Sequence, residues 1–212
     1  MKLLFTILAF TLFLGVSHAD DSKYESAMKK NLAKIDSAKS VNDLLETANA
    51  FERIALAEKD KWLPYYYASM VYTLASFSDT ISEKKDGYLD KSDSFIAIAD
   101  SLQPDNSEIY TMKGMIAQAR MQIDPMNRWQ KYGATSTQNF QKAVQLDTLN
   151  PRPEYLIGIG TYYTPEQFGG GPQNAKPILE RSLAKYEKFV PENELMPNWG
   201  KTSVENLLSQ IK

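Results

Sequence analysis

Few side chains in this sequence can do chemistry at neutral pH, and where they sit matters more than how many there are. The 212 residues include no cysteine and a single histidine, His18. Imidazole is the usual general base near neutrality, and thiolate the usual soft ligand and nucleophile. Beyond residue 18 the sequence therefore excludes disulfides, cysteine-held zinc or iron–sulfur centres, and triads built on histidine. Carboxylate, tyrosine, arginine and backbone remain. Asp86, Asp90 and Asp93 recur at steps of four and three, which places them on one helix face. Two of them could chelate calcium or hold a proton, but Lys84, Lys85 and Lys91 intersperse positive charge, and the run reads as a solvated face. Gly169, Gly170 and Gly171 precede Pro172 and could offer N–H groups to an anion. No Gly-Lys-Ser/Thr follows and no strand precedes, so the triplet is neither a P-loop nor a dinucleotide fingerprint; it reads as a turn that needs positive φ. No catalytic residue, metal ligand or cofactor is assigned, and the chain is read as non-enzymatic.

Tyrosines give the more useful signal. Tyr65, Tyr66, Tyr67 and Tyr72 fall on one helical segment with Met70, Tyr110 on another with Met112 and Met115, and Tyr155, Tyr162 and Tyr163 on a third. Successive residues of a helix point about 100° apart, so some must be core. The others can line a binding surface, because tyrosine combines apolar area, a hydroxyl and little rotamer entropy.

The elements that would position these groups are helices throughout. Apolar residues recur at steps of three and four, as in Leu44, Leu45, Ala48, Phe51, Ile54 and Ala55, or Phe95, Ile98, Ala99 and Leu102, and no stretch alternates with period two. Breaks rich in Pro, Gly, Asn and Asp are predicted at 59–63, 78–86, 103–107, 124–127, 148–153, 164–172 and 190–199. Ahead of them, Met1-Lys2, an apolar run from Leu3 to Leu14 and Ser17-His18-Ala19 read as a signal peptide over residues 1–19, cleaved after Ala19. The run is too short for a spanning helix, so the expected location is secreted or periplasmic, with no membrane span after cleavage and no lipid-bearing cysteine. Lys and Arg number 24 against 26 Asp and Glu, which leaves no basic stripe for nucleic acid.

Self-similarity organises residues 20–212. Phe51, Phe95 and Phe140 align at intervals of 44 and 45, and a tyrosine follows each by fifteen residues, at Tyr66, Tyr110 and Tyr155. Small residues align at Ser69, Gly114 and Gly158; at Ser92, Ser136 and Ala175; and at Ala99, Ala143 and Ser182, with Ile96, Phe140 and Leu179 as the bulky partners. Close helix crossing needs such a pattern, a small side chain at the contact and a large one in the neighbouring groove.

The segments from Ala99 to Gly114 and from Ala143 to Gly158 resemble the junctions of the tetratricopeptide repeat family: small residue, helix end, Pro or polar turn, aromatic, Gly. The resemblance implies an all-α solenoid of antiparallel hairpins over about 41–78, 63–103, 107–147 and 152–189, closed by a capping helix over 201–212. Thr202 or Ser203 would cap that helix, with Val204, Leu207, Leu208 and Ile211 on its apolar face. The spacing is longer than the usual ~34 residues, and long loops inside the hairpins would account for it. The Gly-rich loop is also similar to one in the periplasmic component associated with TRAP-type transporters.

What the family implies is a concave surface made by first helices, here Tyr66, Met70, Thr111, Met115, Tyr155, Ile159 and Tyr162, that binds a protein or peptide. The chain is thus expected to be a non-enzymatic scaffold of the cell envelope. The alternative is a small-molecule-binding accessory of a transport system, which would need a closed pocket with a charged group such as Arg120 or Arg128.

Overall fold

The computed structural model describes residues 16–211, and the apolar run of the expected signal peptide lies outside them. The described residues form an all-α fold: α1 (Val16–Ser37), α2 (Val41–Ala57), α3 (Trp62–Ser78), α4 (Ser82–Leu102), α5 (Ser107–Ile123), α6 (Pro125–Leu146), α7 (Arg152–Tyr163), α8 (Pro172–Tyr186) and α9 (Lys201–Gln210). A 3-10 turn, Glu166–Phe168, sits between α7 and α8. Consecutive helices pack as antiparallel pairs, and α3, α5 and α7 also touch in sequence, which arranges the pairs in a row.

Local chemistry sets the helix ends. Ser40 and Asp43 form a capping box at the start of α2, with Asp43 N–H donating to Ser40 Oγ at 3.1 Å and Ser40 N–H donating to the Asp43 carboxylate at 3.0 Å. Asn106 caps α5, and Asp124 both ends α5 and caps α6, where Pro125 takes the first helical position. These tight junctions correct the expectation of long loops inside the hairpins. Between α3 and α4 only residues 79–81 are non-helical, because the Asp79 carboxylate accepts Ile81 N–H and the Tyr88 hydroxyl, each at 2.9 Å. The extra length of the units lies in the helices themselves, 21 residues in α4 and 22 in α6. Only the α7–α8 pair has a long connection, and it carries the glycines.

Every small residue aligned in the sequence is at a crossing. Ser69 and Ser92 share a 2.8 Å hydrogen bond between α3 and α4. A Cβ on Gly114 would overlap the Phe140 ring of α6, and one on Gly158 would lie 2.5 Å from Leu179 Cδ2 of α8. Ser92, Ser136, Ala175, Ala99, Ala143 and Ser182 are all buried. α3 is apolar on every side because it is surrounded: Tyr65, Tyr66, Tyr67, Met70 and Tyr72 are all core, packed between α2, α4 and α5.

After α8 the chain leaves helix and crosses the row as a strap, residues 187–200, before α9. Tyr67 donates to Leu195 O at 2.8 Å, Trp199 Nε1 to the Tyr66 hydroxyl at 3.0 Å, and Tyr186 to Trp199 O at 2.8 Å. Lys29 on α1 reaches Glu194 at 2.6 Å. α9 then covers α8 with Val204, Leu207 and Ile211 buried. Its N-cap is Gly200, in the left-handed region at φ 106°, so Thr202 and Ser203 lie inside the helix and do not cap it.

Candidate functional site

The polar centre of the molecule is built where α5 and α7 begin. Glu108, in the first turn of α5, is buried, and its carboxylate accepts from three donors. Arg152 Nη1 lies at 2.8 Å, Asn150 Nδ2 at 2.7 Å and the Tyr66 hydroxyl at 3.1 Å, and its own N–H donates to Asn106 Oδ1 at 2.8 Å. Three of those contacts fall on the carboxylate. Arg152 is completely buried. Its guanidinium stacks on Phe189 at 4.6 Å and Trp199 at 5.5 Å and donates to Pro197 O of the strap, while its Nε has no hydrogen-bond partner. Burial pushes the Glu108 carboxyl up, against the opposing pull of Arg152 and the hydrogen bonds from Tyr66 and Asn150. Burial and the neighbouring Glu108 likewise hold the Tyr66 hydroxyl well above the usual range, so it remains a donor.

Over this network opens a pocket of about 650 Å³. The α4–α5 turn (Gln103, Asp105, Asn106), the start of α5 and the α6–α7 turn (Leu146, Asp147, Leu149, Asn150) form one side. The end of α8 (Ala184, Lys185, Lys188) and the strap (Phe189, Val190, Pro191, Glu192, Met196, Pro197) form the other. At the rim Leu149 is 72% exposed and Val190 83% exposed. Large apolar groups standing in water beside an apolar cavity mark a binding surface. Lys185 pairs with Glu154 at 3.3 Å, whereas Lys188 takes no ion pair among the described residues. The site thus offers flat apolar area, amide and hydroxyl groups at its floor, and one uncommitted cation at its mouth.

The structure places the sequence-predicted residues elsewhere. Tyr66, Met70, Thr111, Met115 and Tyr155 are buried, and Ile159 and Tyr162 are half-buried against the core. Among the described residues the strap occupies the expected concave face at α3, tying itself to Tyr66 and Tyr67. Thr111 spends its hydroxyl on Ser107 O at 2.8 Å, and Tyr155 packs edge-on to Trp199 at 6.2 Å. Of the seven, Tyr66 alone reaches the pocket floor, through Glu108. The glycine loop serves the fold. Gly169 and Gly171 have φ of 82° and 97°, and a Cβ on Gly170 would collide with Thr164 O. Gly171 N–H donates to Thr161 O at 2.9 Å.

The aspartate face stands in solvent as expected, with the Asp90 and Asp93 side chains 72% and 52% exposed, but its carboxylates are also paired. Arg120 donates to Asp86 at 3.1 Å, Asp90 at 2.7 Å and Asp93 at 2.6 Å, and Arg128 to Asp86 at 2.7 Å. Both arginines, expected to charge a pocket, instead latch α4 to α5 and α6. The hydrogen bond from Arg128 holds the Asp86 carboxyl below the usual carboxylate range. Sequence reasoning missed Glu108, Asn150 and Arg152. A signal was present: an arginine between Pro151 and Pro153 at a helix start opposes the helix dipole and so calls for a specific buried anion.

No protein-family model matches the chain, nor does any curated protein. Among solved structures it is similar to the HusA haemophore from Porphyromonas gingivalis, with a TM-score of 0.79 and 30% sequence identity over 95% of this chain and 96% of that one.

Proposed function

This chain belongs to the family of the HusA haemophore, and on that footing we propose that it is a carrier of haem or a closely related tetrapyrrole, held in the pocket between the α6–α7 turn and the strap. The observation that carries the reading is that pocket, in a chain aligned with a haemophore along nearly its whole length. A tetrapyrrole is a flat apolar ring with carboxylates at one edge. Leu149, Val190, Phe189 and Met196 supply apolar surface for the ring, and Lys188 stands where a carboxylate would meet a cation. Because no cysteine is present and the one histidine is His18, ring burial and charge supply the affinity, with no imidazole or thiolate bond to iron. Export through the signal peptide over residues 1–19 would put such a carrier outside the cytoplasm, and among the described residues no helix is long and apolar enough to cross a membrane.

The competing reading, a scaffold for a protein or peptide, needs an open groove along α3, α5 and α7, and the chain's own strap fills that place. Titration of the exported chain with haem and with metal-free protoporphyrin, followed by ligand absorbance and tryptophan quenching, tests the proposal. Both are expected to bind, with affinities within about tenfold of each other, a difference of about 1.4 kcal/mol. Leu149→Asp with Val190→Asp should weaken both by at least about tenfold, since about 1.5–3 kcal/mol attends full burial of each such side chain. Absence of binding by either ligand sinks the reading.

A further inference from the structure

Two lysines from the end of α8, Lys185 and Lys188, border the pocket. Lys188 N–H donates to Lys185 O at 3.0 Å, so the last turn continues past the helix end and the two side chains are neighbours on one face. Lys188 is exposed and takes no ion pair among the described residues. Lys185 is committed to Glu154 of α7, but loosely. Their separation is 3.3 Å, against ~2.7–2.9 Å for a charge-assisted hydrogen bond, and the buried Glu154 Oε2 has no hydrogen-bond partner. A second cation stands by. Arg181, one turn earlier on α8, lies 3.8 Å from the same Glu154 oxygen with its side chain 59% exposed.

The rest of the lining decides what these cations can meet. Of the carboxylates around the pocket, Asp105 is paired with Lys142 at 3.2 Å, Glu108 with Arg152 at 2.8 Å, and Asp147 accepts Leu149 N–H at 2.8 Å. Glu192 of the strap is exposed and takes no ion pair among the described residues, so it is the group that competes with a guest for Lys188. Lys185 can leave Glu154 without stranding a buried charge, because Arg181 remains beside that carboxylate.

We propose that Lys185 and Lys188 form a two-point clamp that selects tetrapyrroles with two neighbouring carboxylates, Lys185 exchanging Glu154 for the ligand while Arg181 takes over Glu154. The inference rests on the tetrapyrrole reading of the pocket and adds which feature of the ligand is recognised. Lys185 and Lys188 touch the ligand. Arg181 and Glu154 are positioning residues that act through Lys185.

The test compares protoporphyrin, which carries both carboxylates, with derivatives in which one or both are converted to neutral hydroxyethyl amides, followed by tryptophan quenching at low ionic strength. The parent chain should bind the dicarboxylate at least about tenfold more tightly than the diamide, with the monoamide between them. Lys185→Met and Lys188→Met should each weaken the dicarboxylate at least about threefold more than they weaken the diamide. Arg181→Met should likewise act mainly on the dicarboxylate, since Lys185 is then the sole cation beside Glu154. Glu154→Gln and Glu192→Gln should both tighten the dicarboxylate, the first by freeing Lys185 and the second by removing a competitor. Equal binding of dicarboxylate and diamide by the parent chain would overturn the clamp and leave the tetrapyrrole pocket standing, whereas no binding of any of the three would remove both. Equal weakening of dicarboxylate and diamide in Lys185→Met would also overturn the clamp, because packing and not charge would then be its role. The comparison of ligands on the parent chain needs no variant, so a substitution that fails to fold cannot shield the proposal.

Discussion

At the scale of single residues, the pair Glu108–Arg152 dominates. Both are buried, and each neutralises the other, so removing one leaves an uncompensated charge in the core. The two deletions should behave differently with pH. In Arg152→Met the remaining Glu108 can take a proton, and its folded pKa rises further because the guanidinium that lowered it is gone. A carboxyl whose folded pKa is raised stabilises the fold fully below its unfolded value, and that contribution is lost as pH rises through the folded value. The variant is therefore expected to lose about 3 kcal/mol at pH 7 and progressively less toward pH 4. Glu108→Gln strands a guanidinium that cannot lose its proton and also removes the carboxyl whose raised pKa favours the fold at low pH, so its loss should not shrink toward pH 4. Urea unfolding at several pH values checks both, and parallel pH profiles would show that Glu108 is already protonated in the fold.

Among helices, two devices hold neighbours in place. The first is the close approach at Gly114 and Gly158. Gly158→Ala should cost about 1–3 kcal/mol through overlap with Leu179, and Leu179→Ala in the same chain should recover part of that, a coupling measurable in a double-mutant cycle. The second is the latch of Arg120 and Arg128 on Asp86, Asp90 and Asp93. Its carboxylates are largely solvated, so Asp86→Asn should cost about 1 kcal/mol or less at neutral pH and low salt. Because the folded pKa of Asp86 is depressed, the stabilisation is present above the ordinary aspartate value and disappears as pH falls through the folded value. Thermal melts from pH 6 to pH 2 should show wild type and variant converging at the acid end. These features were unequally legible in the sequence. The small residues were readable because a crossing repeats with the unit, and helix ends were readable because caps are local. The latch was not, since Asp86 shares a face with Asp90 and Asp93 whether solvent or Arg120, 34 residues away, satisfies it.

For the whole molecule, the strap decides what kind of surface the row of helices presents. It joins residues 128 and 133 positions apart, Tyr67 with Leu195 and Tyr66 with Trp199, and no local pattern in 187–200 announces that path. Hence Tyr66, Met70 and Tyr155 read as a groove in the sequence and are core in the structure. The candidate pocket was illegible for the same reason: its two walls come from turns at 103–106 and 146–150 and from the strap. Gly200→Ala is a whole-molecule perturbation, since its Cβ would meet the Tyr186 hydroxyl and its φ of 106° disfavours a side chain. The expected outcome is loss of at least about 1 kcal/mol, faster proteolytic cleavage within 187–200, and weaker tetrapyrrole binding, all in one variant. Faster cleavage with unchanged binding would separate the strap from the pocket.

That long-range tie also bears on how the chain comes to be folded. A simple row of hairpins can consolidate from one end as each unit appears. Here Tyr66 and Tyr67 of α3 lack their strap partners until Trp199 and Leu195 arrive, 133 and 128 residues later. If the chain is threaded through a membrane from its N-terminus, the hydroxyls of Tyr66 and Tyr67 wait for the strap, 133 and 128 residues behind them, before the centre of the molecule can close.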